Sequence, residues 1–153
     1  MGRIAALATL RGVTYASLDE PCEFSPIDAV CQAIRLLAQT PKEMVVFHPY
    51  NNHSIPLGDV LDILHTVGVD IKPMEDEEFN RMIQEKLKDE TVVSKLQPLF
   101  AYNEDETKHV VRWLGYENGY TTQVLRRLGF HWPYTSWDYA ERFVQAIHGF
   151  NYI

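Results

Sequence analysis

The sequence predicts a small α/β domain that is mostly helical. It should hold about two short strands and five to seven helices, too few strands for a doubly wound parallel sheet. Three observations carry this expectation. Apolar residues recur at three- and four-residue spacing through most of the chain. Only two runs, Met44–His48 and Val69–Met74, read as extended. Serine, proline and glycine stand where the helical segments should start and stop.

The first clear helix start is Ser25-Pro26-Ile27-Asp28. Serine is a good N-cap, proline suits the first helical position, and Asp28 can close a capping box and meet the positive end of the dipole. Ile27, Val30, Cys31, Ile34, Leu37 and Ala38 then repeat as one helical face, and Pro41 ends the helix. Met44–His48 follows as a short buried strand, with turn chemistry at Pro49–His53. Leu57, Val60, Leu61, Leu64 and Val67 mark the next helix, stopped by Gly68. Pro73 puts the second strand, Val69–Met74, at an edge. Phe79, Met82, Ile83 and Leu87 give a helix whose first turn, Asp76-Glu77-Glu78, suits the dipole. Val92 to Phe100 gives another, and 101–118 reads equally as strand or helix. Tyr120–Leu128 is a short helix stopped by Gly129. Thr135-Ser136-Trp137-Asp138 is a second capping box, opening a helix that runs to Gly149.

Length and charge bound the function. A chain of 153 residues is one ordinary domain and buries roughly 70% of its unfolded surface. The expected organisation is therefore a single unit over 1–153. The net charge is −7, most of it between Glu75 and Glu106. A solvated helical face explains that run better than a dock for a basic partner. No basic stripe exists, so nucleic acid is not an expected partner. No apolar run approaches the roughly 20 residues of a membrane span. Cys22 and Cys31 are too few for a disulfide framework, and the N-terminus lacks a secretory core, so the cytoplasm is the expected compartment.

The missing chemistry is equally informative. The sequence has no Gly-x-Gly-x-x-Gly, P-loop, Gly-x-Ser-x-Gly or His-Glu-x-x-His. No tyrosine is followed four residues later by lysine, the acid/base pair of short-chain dehydrogenases. His48, His53, Cys22 and Cys31 lack metal-ligand spacing, and Cys31 falls on the predicted apolar face. His65 and His148 sit in last helical turns, where a cation meets the dipole favourably. Asp59 and Asp62, one turn apart, are explained by a solvated face. Aromatics crowd the last forty or so residues (Tyr116, Tyr120, Phe130, Trp132, Tyr134, Trp137, Tyr139, Phe143, Phe150 and Tyr152). Most such rings fill cores, while Trp132 and Tyr134 beside Pro133 could line a pocket mouth. No catalytic, cofactor-binding or metal-ligating residue is expected.

Several segments in order resemble the C-terminal part of the thioester reductase domains that end non-ribosomal peptide synthetases and carboxylic acid reductases. Glu23-Phe24-Ser25-Pro26-Ile27-Asp28-Ala29-Val30 resembles their E-x-S-P-V-D-x-V-A segment. Val46-Phe47-His48-Pro49-Tyr50-Asn51 resembles V-[FY]-H-x-x-N. Leu64–Gly68 and Val69–Met74 resemble the helix and strand L-x-x-x-G-x-x-I, and Phe79 matches an aromatic of the next helix. Thr121–Leu128 with Gly129-Phe130-His131-Trp132-Pro133 resembles T-x-x-x-L-x-x-L-G-F-x-W-P. Leu7–Val13 fits the helix and turn upstream of the S-P-V-D segment. The likeness is weak between Asp89 and Tyr116.

The resemblance implies a function for a parent protein. Such domains are extended short-chain dehydrogenases that use NADPH to reduce a thioester on a phosphopantetheinyl carrier protein, releasing an aldehyde or alcohol. Their nucleotide site and Thr/Ser-Tyr-Lys set lie in an N-terminal Rossmann half with no counterpart in this sequence. The chain would then be the substrate-side subdomain, giving shape and docking without proton or hydride chemistry. Its implied partners are the Rossmann half and the carrier protein, and NADPH is implied only for the parent. Phe24, Ser25, Pro26, Tyr50 and Asn51 are the expected cleft-facing positions, with helix capping the simpler role for Ser25 and Asp28. The competing expectations are the substrate subdomain of another extended short-chain dehydrogenase, such as a nucleotide-sugar epimerase, and a freestanding helical interaction module. A severed subdomain should expose an apolar face and could self-associate through it.

Overall fold

The computed structural model describes residues 2–41, 43, 46–100 and 117–153. The expectations for Met44, Val45 and 101–116 lie outside them. In chain order the elements are α1 (Gly2–Leu10), β1 (Gly12–Thr14), a 3-10 turn (Tyr15–Ser17), β2 (Pro21–Glu23), α2 (Ile27–Leu37) and β3 (Ser54–Pro56). They continue with α3 (Leu57–Thr66), β4 (Lys72–Met74), α4 (Asp76–Lys86), α5 (Glu90–Phe100), α6 (Gly119–Arg127) and α7 (Trp137–Gly149). The class is as expected, mostly helical with short strands and no Rossmann sheet among the described residues. The strands form two separate pairs, β1 with β4 and β2 with β3. β1 and β2 have three residues each, too short to show an alternating pattern in sequence.

The described residues gather into two compact units. The first takes them from 1–20, 56–113 and 137–153. In it α1 packs along α5, α3 along α7, and α4 against β1. β1 and β4 run parallel, with Val13 opposite Pro73. Proline is tolerated there because a two-stranded sheet has only edges. The core holds Leu7, Val13, Leu57, Val60, Leu64, Ile83, Leu96 and Val144, each nearly sealed from solvent. These are mostly the positions that helical spacing marks. Asp89 starts α5, its carboxylate accepting the Thr91 N–H (3.0 Å) and hydroxyl (2.7 Å), which holds its pKa down. Pro98 lies inside α5. Its ring is matched by Gly2, where a Cβ would fall 2.8 Å from Pro98 Cγ.

The second unit takes the described residues of 21–55 and 114–136. α2 packs on α6. Ala33, Leu37, Val124, Leu125, Phe130 and Trp132 form its core, with Phe47 laid against it. The expected face of α2 is corrected in part: Leu37 is buried and Val30 packs against the core, as expected, but the rest differs. Ile27 is 76% and Ile34 52% exposed, and Cys31 is exposed too, while Ala33 is sealed. Helical spacing gives α2 one wide apolar band, and its alanine-lined side is the covered one because α6 packs there. The expected Met44–His48 strand is also corrected in its described part. Residues 46–48 form no strand, Val46 is 62% exposed, and the strand of this region is β3.

Both glycine stops are confirmed. Gly68 and Gly129 have φ of 83° and 81°. Val69 N–H reaches Leu64 O (3.1 Å) and Phe130 N–H reaches Leu125 O (2.9 Å), closing the last carbonyls of α3 and α6. α7 closes in the same way, but its left-handed residue is Asn151 (φ 53°), two positions beyond the predicted glycine.

Gly129→Ala should cost about 1 kcal/mol, because a Cβ is disfavoured at positive φ. Leu64→Ala should cost about 2–5 kcal/mol by opening a cavity in a sealed core. Urea denaturation of the two variants checks the order; equal losses would contradict it.

Candidate functional site

The expected cleft positions meet around one buried side chain. Asn51 is 1% exposed and lies in the segment between α2 and β3. Its Nδ2 donates to Phe24 O (3.0 Å), Pro133 O (2.9 Å) and Thr135 Oγ1 (3.2 Å). Two amide hydrogens serving three acceptors means that one is shared. Its Oδ1 accepts the His53 N–H at 3.0 Å, and its own N–H donates to Ser25 Oγ at 2.9 Å. The Thr135 hydroxyl passes on to His53 O at 3.1 Å. One amide thus ties together the Phe24–Pro26 segment, the 48–53 loop and the 130–135 loop.

The loop from 48 to 53 has no strand partner, so side chains satisfy its backbone. His48 N–H donates to Thr121 Oγ1 (2.9 Å), and Asn118 Nδ2 donates to Tyr50 O (2.7 Å). The use of Thr121 for this bond is the local reason that 46–48 needs no ladder. Asn118, Thr121 and Thr135 are all buried, and sequence reading missed their roles. The available signal was a set of small polar residues flanking an apolar, aromatic stretch, each needing an internal partner.

The Ser25 capping box is overturned. Pro26 occupies the N-cap position of α2, and no side chain caps the helix. The Ser25 hydroxyl donates to Glu23 Oε1 while accepting the Asn51 N–H. The oxygen accepts the Asn51 main-chain N–H in place of a helix amide, which leaves the O–H free to donate to the carboxylate. Asp28 does stand in the first turn. Burial raises the Glu23 carboxyl above its ordinary value, and the Ser25 bond partly offsets this. The Tyr50 phenol is raised too, by burial first and then by the charges of Glu23 and Glu117.

Phe24 and Asn51 are turned inward, whereas Ser25, Pro26 and Tyr50 keep part of their surface in solvent. Beside them, His53 meets the Tyr134 ring edge-on at 5.3 Å, and Tyr134 is 74% exposed. Phe47 stacks on Tyr120 at 6.0 Å. The late aromatics therefore divide. Phe130 and Trp132 fill the core at a 5.0 Å edge contact, while Tyr120, Tyr134, Trp137, Phe150 and Tyr152 face solvent. This arrangement offers rings and imidazoles for packing against a ligand. The short parallel pair β1–β4 is not a dinucleotide cradle. β1 runs into the turn Tyr15-Ala16-Ser17 rather than a glycine-rich turn opening a helix. No group of three or more histidine, cysteine or acidic residues among the described residues could hold a metal ion. No described helix is long and apolar enough to cross a membrane.

No protein-family model and no curated protein matches the chain. Solved structures do. A thiolation-reductase di-domain from an archaeal non-ribosomal peptide synthetase matches with TM-score 0.74 and 27% identity, over 99% of this chain and 30% of its own. The terminal R domain of the myxalamid PKS-NRPS pathway matches with TM-score 0.75 and 13% identity, over 99% and 39%. The reductase domain of the aureusimine biosynthetic cluster matches with TM-score 0.70 and 16% identity, over 98% and 38%. The chain is similar to the thioester reductase domains of non-ribosomal peptide synthetases and spans about a third of the length of these structures.

Asn51→Ala should cost about 1–3 kcal/mol by orphaning buried acceptors, and Asn51→Asp should cost more by setting a carboxylate against two carbonyls. Chemical denaturation checks the order, and an aspartate variant as stable as the parent chain would contradict it. Glu23 binds its proton more tightly in the folded chain than when unfolded. Its contribution therefore favours folding at low pH and is lost as pH rises from the ordinary 4.5 through the raised value. Glu23→Gln should flatten that part of the stability–pH curve; an unchanged slope would refute it.

Proposed function

We propose that the chain is the C-terminal, substrate-side subdomain of a reductase that uses NADPH to release an acyl or peptidyl chain from a phosphopantetheinyl carrier protein as aldehyde or alcohol. The observation that supports this best is the near-complete match of the chain to three reductase domains, each with about two thirds of its length left over. That remainder is the natural place for the nucleotide-binding half. The subdomain's own role is to shape the substrate cleft and exclude water, leaving hydride transfer to the other half. Ser25, Pro26 and Tyr50 form its substrate edge, with Phe24 and Asn51 buried behind them and the Asn51 amide fixing the loops that carry them. The cytoplasm is the compartment in which such an assembly would work.

The wide apolar band of α2 supports the same reading. A helix whose apolar band is wider than its neighbours cover belongs inside a larger body. One side of the α2 band is covered by α6, while Ile27, Cys31 and Ile34 lie open. The open stripe is the seat we assign to the Rossmann half. A nucleophilic role for Ser25 does not fit the geometry, since its hydroxyl is committed to the Glu23 carboxylate and the Asn51 amide rather than to a histidine.

Calorimetric titration of NADPH into the folded chain should give no binding, and micromolar affinity would end the proposed division of labour. Ile27→Asp with Ile34→Asp should lower the binding of an apolar dye without loss of helical circular dichroism. Undiminished dye binding would remove α2 as the partner seat.

A further inference from the structure

A cavity of about 460 Å³ lies within the first unit, and none of its lining residues belongs to the Asn51 cluster. Small residues of α1, Gly2, Ala5 and Ala8, form one side, and Ser94, Lys95 and Pro98 of α5 form another. The chain segments leaving α1, α3 and α7 complete it through Arg11, Gly68 and Asn151. Arg11 (φ 56°) and Asn151 (φ 53°) are the two non-glycine residues with positive φ among the described residues, and both line this cavity. Both are the left-handed residues on which α1 and α7 end, and they set the direction in which the chain leaves each helix.

The charged side chains of the lining are all cationic, and Ile153, whose α-carboxyl is the last group of this sequence, lines it beside them. Arg11 and Lys95 line the cavity, no acidic side chain does, and neither cation forms an ion pair with another described residue. In a chain of net charge −7 this is a local reversal of sign. At each of the three helix ends a main-chain amide closes one of the last carbonyls. Arg11 N–H reaches Leu7 O (2.8 Å), Val69 N–H reaches Leu64 O (3.1 Å) and Tyr152 N–H reaches Ile147 O (2.9 Å). Arg11 is also held from its other side, its carbonyl accepting Lys72 N–H at 3.1 Å. The backbone from which its guanidinium springs is therefore fixed on both sides.

We infer that this cavity binds a small organic anion, with an oxyanion head between Arg11 and Lys95 and a short apolar body against Ala5, Ala8, Val69 and Pro98. Its volume is that of a small-molecule pocket, and guanidinium paired with ammonium suits a carboxylate or phosphate head. The inference does not rest on the reductase reading and would survive its failure.

The test is an amide-resolved NMR titration of the whole chain with sodium hexanoate, and with hexylammonium as the charge-reversed control. Hexanoate should give saturable shifts at Thr9, Val69 and Tyr152, and hexylammonium should not. Arg11→Asn with Lys95→Gln should weaken hexanoate at least about tenfold; asparagine is chosen because it tolerates positive φ. Ala8→Leu should block the cavity while both cations remain. Hexyl phosphate run in parallel decides which head binds tighter. Equal shifts by the ammonium, no saturable shift with hexanoate, or undiminished binding in folded forms of both variants would overturn the site.

Discussion

Three segments far apart in sequence meet at one buried amide, and the second unit is arranged around it. A side-chain amide can donate twice and accept twice, and Asn51 spends its donors and its acceptor on backbone and hydroxyl groups. The carbonyls it serves, Phe24 O and Pro133 O, belong to loops that no strand ladder could satisfy. Sealing them without a partner would cost about 1–3 kcal/mol each. The same requirement explains why Ser25 leaves its expected capping role. Its hydroxyl is the bridge between Asn51 and Glu23, and α2 begins on Pro26 without a side-chain cap.

The first unit solves a different problem, how to end several helices close together without leaving open carbonyls. α1, α3 and α7 each turn out of the helix on a left-handed residue, and a main-chain amide at that turn folds back on the last carbonyls. Glycine performs this for α3, but arginine and asparagine do so for α1 and α7. The chain directions so created leave the cavity that carries Arg11 and Lys95. The likeness to reductase domains covers about a third of their length, and within it Ile27, Cys31 and Ile34 of α2 face solvent.

Much of the fold was legible in the sequence. The α3, α4 and α6 spans follow from spacing and from Gly68, Asp76-Glu77-Glu78 and Gly129, and β4 from the run ending at Met74. Those features work through bonds within a few residues. The candidate site was legible only in outline. Phe24, Ser25, Pro26, Tyr50 and Asn51 are indeed gathered in one place, but the residues that gather them, Thr135, Asn118 and Thr121, act over 68 to 84 positions and carry no local pattern. The short strands β1 and β2 were invisible because three residues cannot display a period of two.

The sequence by itself determined the class and the helix stops, because each is written in residue type and near-neighbour spacing. Tertiary structure alone decided which side of α2 is covered. Ile27, Cys31 and Ile34 share one wide apolar band with Val30 and Leu37, and only the packing of α6 decides that the side carrying Ala33 and Leu37 is the covered one. It likewise decided that Ser25 bonds sideways rather than capping a helix. That choice depends on a buried amide 26 residues away, whose need for partners outweighs the weaker gain from an exposed cap.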